Sequence, residues 1–252
     1  MSSKVNDVVE LDYLGRRYGV ISITKEITIE KIQQIKNDFY SKINKKTKEV
    51  LSDSFDLQSH KKRGMATDLH TTENWTGDIY KSMILKDINS DVSEINGQLL
   101  KSKWVNGNKK PTLIDVGCGS GIFVKQMLDS KKFQMVYGLD PFTKTKADSI
   151  IKRNFIESWS HDIPLEDNSV DIVTTCEVLE HVPEPYISKT FKELKRVCNW
   201  RVYGQVSTRI GGEKYKDGVH AHICFAPAEW WMNEMLKAGF KIVSASENTQ
   251  GL

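Results

Sequence analysis

The chain has 252 residues, of which 39% are apolar and 27% charged, with 16 Gly and 6 Pro. This is the composition of a soluble globular protein, one large domain or one domain with an appendage. It excludes collagen-like, low-complexity and rod-like coiled-coil chains, and no run approaches the ~18 uninterrupted apolar residues of a membrane helix. The net charge of +3 is mildly basic and neither demands nor excludes a nucleic-acid partner.

The opening residues, Met1-Ser2-Ser3-Lys4, lack an apolar h-region, so no secretory signal is expected. Val8–Leu14 and Tyr18–Ile23 flank Gly15-Arg16-Arg17 and read as a β-hairpin. Such a hairpin is marginal alone, so it is expected to pair with a late sheet edge, to mediate a dimer or to lie over the active site as part of a lid. Ile29, Ile32, Ile35, Phe39 and Ile43 recur at helical spacing behind a Thr28 cap. Residues 44–78 are polar and aperiodic and read as a long irregular, lid-like segment. A second helix is predicted from about Tyr80 to Trp104.

The texture changes at Lys109-Lys110-Pro111. Strands are predicted at Leu113–Val116, Met135–Asp140, Asn154–Glu157, Val170–Thr175, Arg201–Thr208 and Lys241–Ala245, with helices at Ile122–Leu128, Lys144–Lys152, Tyr186–Val197 and Ala228–Ala238. Apolar strands alternating with helices indicate an α/β fold with a doubly wound, Rossmann-like, mostly parallel sheet. The expected organisation is an N-terminal hairpin-plus-helix extension over residues 1–79 and a cofactor-binding domain over 80–252. The four cysteines, Cys118, Cys176, Cys198 and Cys224, form no CxxC pair, which fits a reducing, cytoplasmic setting.

Asp115-Val116-Gly117-Cys118-Gly119-Ser120-Gly121 joins a predicted strand to a predicted helix, where glycines let backbone approach a ligand closely. Asp140, followed by Pro141, ends the next strand, 23 residues beyond Gly117, where nucleotide-binding βαβ units hold a ribose diol. This G-x-G-x-G loop, with an acid two residues ahead, resembles the first motif of class I S-adenosylmethionine-dependent methyltransferases. The resemblance covers about residues 80–247, continuing through Asp162–Val173 and ending with Pro227–Phe240. It implies S-adenosyl-L-methionine as cofactor, with Gly117, Cys118, Gly119 and Gly121 beside its methionine and ribose parts. Asp115 would hold the ammonium, and Asp140 with Pro141 the ribose. Trp159 and Ser160 would lie at the adenine, with His161 and Asp162 next to them, and Cys176 would line the pocket. The family carries an acid where this chain has Trp159; an indole there could stack on the base.

Cys176-Glu177-Val178-Leu179-Glu180-His181 places two carboxylates three residues apart beside an imidazole, and His220-Ala221-His222 comes later. Carboxylates and imidazoles can bind a divalent cation such as Mg, Mn or Zn. The E-x-x-E-H pattern resembles the ubiquinone-biosynthesis O-methyltransferases, within the type 11 methyltransferase group, and the small-RNA terminal 2′-O-methyltransferases, which share an H-x-H. In both, the resemblance implies a metal that polarises an acceptor hydroxyl, here with Glu177, Glu180, His181 and His222 as ligands. The other readings are substrate contact without metal, with His181, His222 and Glu177 catalytic, and a structural brace. His60, His70 and His161 read as surface or loop residues.

Between Lys31 and Arg63 stand nine basic and four acidic residues, a solvated face or a contact for an anionic substrate. The function expected is methyl transfer, chiefly to a small-molecule or sugar hydroxyl. An RNA 2′-O-methyltransferase and a non-catalytic, cofactor-binding partner subunit are the alternatives.

Overall fold

The computed structural model describes residues 12–13, 16–17, 29–52, 82, 84–86, 88–89, 93–95, 98–100, 109–142, 150–208 and 214–242. Strands β5 (Thr112–Val116), β6 (Met135–Leu139), β7 (Phe155–Ile156), β8 (Val170–Cys176) and β9 (Cys198–Gln205) form one parallel sheet in the order β7-β6-β5-β8-β9. Its registers include Asp115↔Gly138, Asp115↔Thr174 and Thr174↔Tyr203.

The apolar strands are buried on both faces because helices cover both. Leu113 of β5, Val136 of β6 and Ile172 of β8 face Val124 and Met127 of helix α3 (Ile122–Asp129), together with Ile84, Ile88 and Ile151. Their strand neighbours Ile114, Leu139 and Val173 point the other way, onto helix α4 (Glu184–Val197) and Trp231 of helix α5 (Ala228–Lys237). Along α4, Ile187, Thr190, Phe191, Leu194 and Val197 are buried at three- and four-residue spacing, the stripe a surface helix needs. The chain leaves β5 for β6 on one side and reaches β8 on the other. The crevice beyond the carboxyl ends of β5 and β8 is therefore the switch point at which open α/β sheets bind ligands.

The expected strands and helices from β5 to α5 appear with bounds shifted by a few residues. The predicted Lys144–Lys152 helix lies mostly outside the described residues. Of the sixth strand only Lys241 and Ile242 are described, and neither is in a strand.

Upstream the structure departs from expectation. Helix α1 (Ile29–Lys42) is where the periodicity put it, but a second helix, α2 (Lys45–Ser52), occupies the start of the segment expected to be irregular. Asn44 starts it: its Oδ1 accepts the Thr47 N–H at 2.8 Å, an N-cap in a stretch whose outer face is too polar to show a period. The helix predicted to reach Trp104 is interrupted by β3 (Ser93–Ile95) and β4 (Gln98–Leu100), an antiparallel pair in which Ile95↔Gln98 brackets Asn96-Gly97, the dipeptide that two-residue hairpins favour. The N-terminal hairpin is described only as β1 (Asp12–Tyr13) against β2 (Arg16–Arg17), so Arg16 and Arg17 lie in a strand and not in the turn. Among the described residues it shares no ladder with the five-stranded sheet; the rest of the hairpin, and the lid or dimer role foreseen for it, lie outside them.

Candidate active site

The glycine loop leaves β5 at the switch point. Gly117 and Gly121 both have φ of +81°, a region that favours glycine. Space is equally restrictive: a Cβ on Gly117 would come within 2.2 Å of Val178 Cγ2, and one on Gly121 within 2.9 Å of Ile151 Cδ1. Val178 follows β8, so that contact sets the glycine loop directly against the Glu177–His181 segment. The Gly117 and Cys118 amides both donate to the Leu139 carbonyl, at 2.7 and 3.0 Å, which ties the loop to the end of β6.

Two buried carboxylates face this loop. Asp140 accepts the Gly119 N–H on Oδ2 at 3.2 Å and the Phe142 N–H on Oδ1 at 2.7 Å. Asp115 accepts the Thr174 hydroxyl at 2.6 Å. Burial pushes its carboxyl up to about 7; the Thr174 hydrogen bond pulls the other way and nearby Asp140 reinforces the rise. A buried acid in this condition is suited to an ammonium, whose charge would restore its ionised form.

Beyond Asp140 an aromatic row extends to α4. Phe142 meets Trp159 edge-on at 5.4 Å, Trp159 lies 5.8 Å from His161, and His161 lies 4.4 Å from Tyr186. His161 is thus buried rather than at the surface, and burial lowers its imidazole below the usual range, helped by Lys189. Ser160 is also buried, with its hydroxyl 3.3 Å from that of Thr190.

Cys176 closes β8, and Glu177 follows with φ of +54°, a left-handed conformation that strains a residue with a side chain. Gln205 at the end of β9 holds it at two points: its carbonyl accepts the Glu177 N–H at 3.0 Å and its Nε2 donates to Glu177 Oε1 at 2.6 Å. The bend sends the chain into the short 3₁₀ turn Leu179–His181 and brings Glu180 inside. Glu180 is fully buried; Oε1 accepts the Ser207 N–H at 3.0 Å, whereas Oε2 has no hydrogen-bond partner among the described residues. Burial first, and the Glu177 carboxylate second, raise its carboxyl well above the usual range.

His181 Nδ1 lies 2.9 Å from the Ala221 carbonyl. A carbonyl only accepts, so Nδ1 carries the proton and a neutral ring presents its lone pair at Nε2. The His222 ring stands edge-on to His181, centroids 4.9 Å apart. Ligand atoms of Glu180, His181 and His222 all lie within 4.8 Å of one another. Glu177, foreseen with them, stands outside this trio, against Gln205; His220 is buried beside it, its N–H donating to Thr47 Oγ1 at 2.9 Å. Thr47, Thr174, Val178 and Gln205 were not foreseen. Only Asn44, as a helix cap ahead of Thr47, left a local signal in the sequence.

A parallel sheet in this order, with a glycine loop after its first strand and an acid after its second, is a Rossmann-like, doubly wound α/β fold. Residues 114–200 match the family model described as "Methyltransferase domain" (Methyltransf_11). The chain is 35% identical over 99 residues to a ubiquinone biosynthesis O-methyltransferase of Vibrio campbellii, covering 36% of this chain and 40% of the relative. It is 33% identical over 99 residues to the protein of that name in Cupriavidus pinatubonensis, covering 34% and 38%. The chain thus spans about two fifths of the length of these curated relatives. Among solved structures, a SAM-dependent methyltransferase of Thermotoga maritima aligns with TM-score 0.41 and 19% identity over 56% of this chain and 77% of that one. A Mesorhizobium loti S-adenosylmethionine-dependent methyltransferase aligns with TM-score 0.42 and 14% identity over 53% and 75%.

Proposed function

We propose that the protein transfers a methyl group from S-adenosylmethionine to a hydroxyl oxygen of a small molecule or sugar. The observation that carries this reading is the placing of Glu180, His181 and His222 together, with Glu180 two residues beyond Val178, whose contact with Gly117 joins the segment to the glycine loop. The relatives named above are O-methyltransferases, which supports an oxygen acceptor.

The residues at the switch point fit the cofactor: a loop with no space for a Cβ at Gly117 or Gly121, a buried acid for an ammonium and a second acid for a diol. When bound, S-adenosylmethionine supplies a methyl on a sulfonium, and attack by the acceptor oxygen forms the O–C bond as the S–C bond breaks and the sulfur takes the electron pair. Asp115 and Asp140 would hold the cofactor's ammonium and ribose beside the glycine loop, next to the Glu177–His181 segment. Trp159 and Ser160 border the place for the base. The acceptor's proton has to leave for oxygen to attack, and His181 Nε2 or the His222 ring can take it.

The same trio has the donor chemistry for a divalent cation: a buried carboxylate oxygen with no hydrogen-bond partner among the described residues and two imidazoles. Glu180, His181 and His222 would hold it, and such an ion would lower the pKa of the acceptor hydroxyl.

The test is isothermal titration with S-adenosylmethionine, with and without Mg²⁺ or Mn²⁺, followed by a methyl-transfer screen over phenols, sugars and short RNAs. Cofactor binding and turnover on a hydroxyl acceptor, lost in His181→Gln and His222→Gln, are expected. Turnover only on RNA 3′ ends would move the reading to the 2′-O-methyltransferases, which the nearness of His222 to Glu180 and His181 favours as the second reading. Full activity in excess chelator would assign the proton to a histidine alone. Absence of cofactor binding would overturn the proposal.

A further inference from the structure

Helices α1 and α2 hold the peptide that carries His222. Lys214 bridges His220 in antiparallel fashion, and the turn between them is closed by Tyr215 N–H to Val219 O and Gly218 N–H to Tyr215 O, both 2.8 Å. Val219 N–H adds a bond to Asp217 Oδ1 at 3.1 Å. From this turn the chain runs directly into His220-Ala221-His222.

Helix α2 meets it at two points. Thr47, in the first turn of α2, is fully buried, and its Oγ1 accepts the His220 N–H at 2.9 Å. Asn44, capping the same helix, takes the Thr47 N–H on Oδ1 and donates from Nδ2 to the Gly218 carbonyl at 3.0 Å. One asparagine therefore links the start of α2 to the turn that feeds the histidines. Helix α1, which leads into α2, is tied to the domain: Lys36 pairs with Glu184 at the start of α4, Tyr40 donates to the other Glu184 oxygen at 3.2 Å, and the Tyr40 ring lies edge-on to Phe225 at 6.5 Å.

The opposite side of the peptide is held by the site itself. His181 donates to the Ala221 carbonyl, and the Ile223 and Cys224 amides donate to the Glu180 carbonyl at 2.8 and 3.0 Å. A short stretch of backbone is thus gripped by the trio's own residues and, one residue before His222's neighbour Ala221, by α2. A buried amide deprived of its acceptor is costly, so loss of the Thr47 hydroxyl would turn the His220 peptide in search of another.

We propose that Thr47, backed by Asn44, is a positioning residue through which the N-terminal helices set the His222 ring against His181 and Glu180. Its bearing on catalysis rests on the reading that these imidazoles handle the acceptor's proton; the positioning itself does not. Thr47→Val keeps the size and branching but cannot accept the amide, whereas Thr47→Ser can.

The experiment follows the imidazole resonances of the full chain by NMR at one fixed pH, assigned with His181→Gln and His222→Gln. Thr47→Val is expected to shift the His222 and His181 signals, and Thr47→Ser to restore them. Affinity for S-adenosylmethionine should stay within about twofold, while kcat on any hydroxyl acceptor found by the screen falls roughly tenfold or more, as small misplacements of catalytic groups do. Asn44→Asp keeps the cap but loses the donor to Gly218, and should give the same shift at smaller size should Thr47→Val not fold. Wild-type resonances in Thr47→Val, or in Asn44→Asp where that variant stands in, overturn the proposal. A His222→Gln enzyme with wild-type turnover would instead overturn the proton-handling reading while leaving the positional result to stand.

Discussion

Asp115 is a buried carboxyl whose environment works against its charge. In the unfolded chain it would titrate near 4; in the fold it is raised to about 7. The native protein therefore binds more protons than the unfolded one between these values. The stability this carboxyl contributes is fully present below about pH 4 and is lost as pH rises through about 7. A bound ammonium reverses the balance by favouring the carboxylate. S-Adenosylmethionine affinity should accordingly rise with pH, by up to about tenfold per unit, and level off above pH 7. Binding at pH 6 should release a proton, seen calorimetrically as a heat that depends on the buffer. Asp115→Asn should abolish both the slope and the release; a flat affinity from pH 5.5 to 8 in the unaltered protein would count against Asp115 as the ammonium's partner. At this scale the sequence showed which residue types converge but not their states. The Asp115, Asp140 and glycine positions were legible because each sits at a strand end. The burial of His161 between Trp159 and Tyr186 was not, since Tyr186 lies on another element. The parting of Glu177 from the trio depends on a positive φ that no pattern encodes.

At the scale of elements, the loop from Ile163 to Asp167 shows how α4 supports the cofactor side of the crevice. Arg196 reaches from the last turn of α4 to the Ile163 and Leu165 carbonyls at 2.8 and 2.7 Å, to Asp167 at 2.9 Å and twice to Glu193 at 2.7 Å. Glu193 in turn accepts the Ile163 N–H at 2.9 Å, and the guanidinium holds its carboxyl below the usual range. Asp167 is 72% exposed, so its ion pair adds little. The two carbonyls and Glu193 are the substantial part. Arg196→Met should lower stability by about 1.5–3 kcal/mol in chemical denaturation, the range for hydrogen bonds to a charged group. Arg196→Lys should recover only part, because a lysine cannot span two carbonyls and a carboxylate at once. A Met variant as stable as the original would show that the loop holds without α4. The elements themselves were readable wherever burial imposes a period: the sheet strands are apolar throughout and α4 carries a clear stripe. Where a short element depends on one cap or one turn, as α2 does on Asn44, the signal is too local to stand out from a polar stretch. The β3–β4 pair was hidden for the converse reason, an apolar spacing that suits helix and strand alike until Asn96-Gly97 is given its weight.

Across the whole molecule, one of the links between the N-terminal helices and the sheet domain is an ion pair whose two ends are unequally buried. The Lys36 side chain is 6% exposed and that of Glu184 is 35% exposed. Lys36 Nζ also lies 4.7 Å above the Trp230 ring, so the lysine stem and head fill space between α1 and α5. Removing either partner leaves the other without its counter-charge, but the consequences differ. After Lys36→Met, Glu184 keeps its Tyr40 hydrogen bond and enough exposure to be hydrated, and methionine replaces much of the stem's packing. After Glu184→Leu, an ammonium remains in a nearly closed site with only an aromatic face to offset its desolvation, the case in which breaking a buried pair is most damaging. Glu184→Leu should therefore cost about 3 kcal/mol and Lys36→Met about 1, with the double variant closer to Lys36→Met than to the sum, since the unpaired ammonium is then gone. Thermal or urea denaturation of the full chain measures all three. Equal losses in the two single variants, adding up in the double, would show that the pair is solvated in solution and that α1 is held to the domain chiefly by its other contacts with α4 and α5.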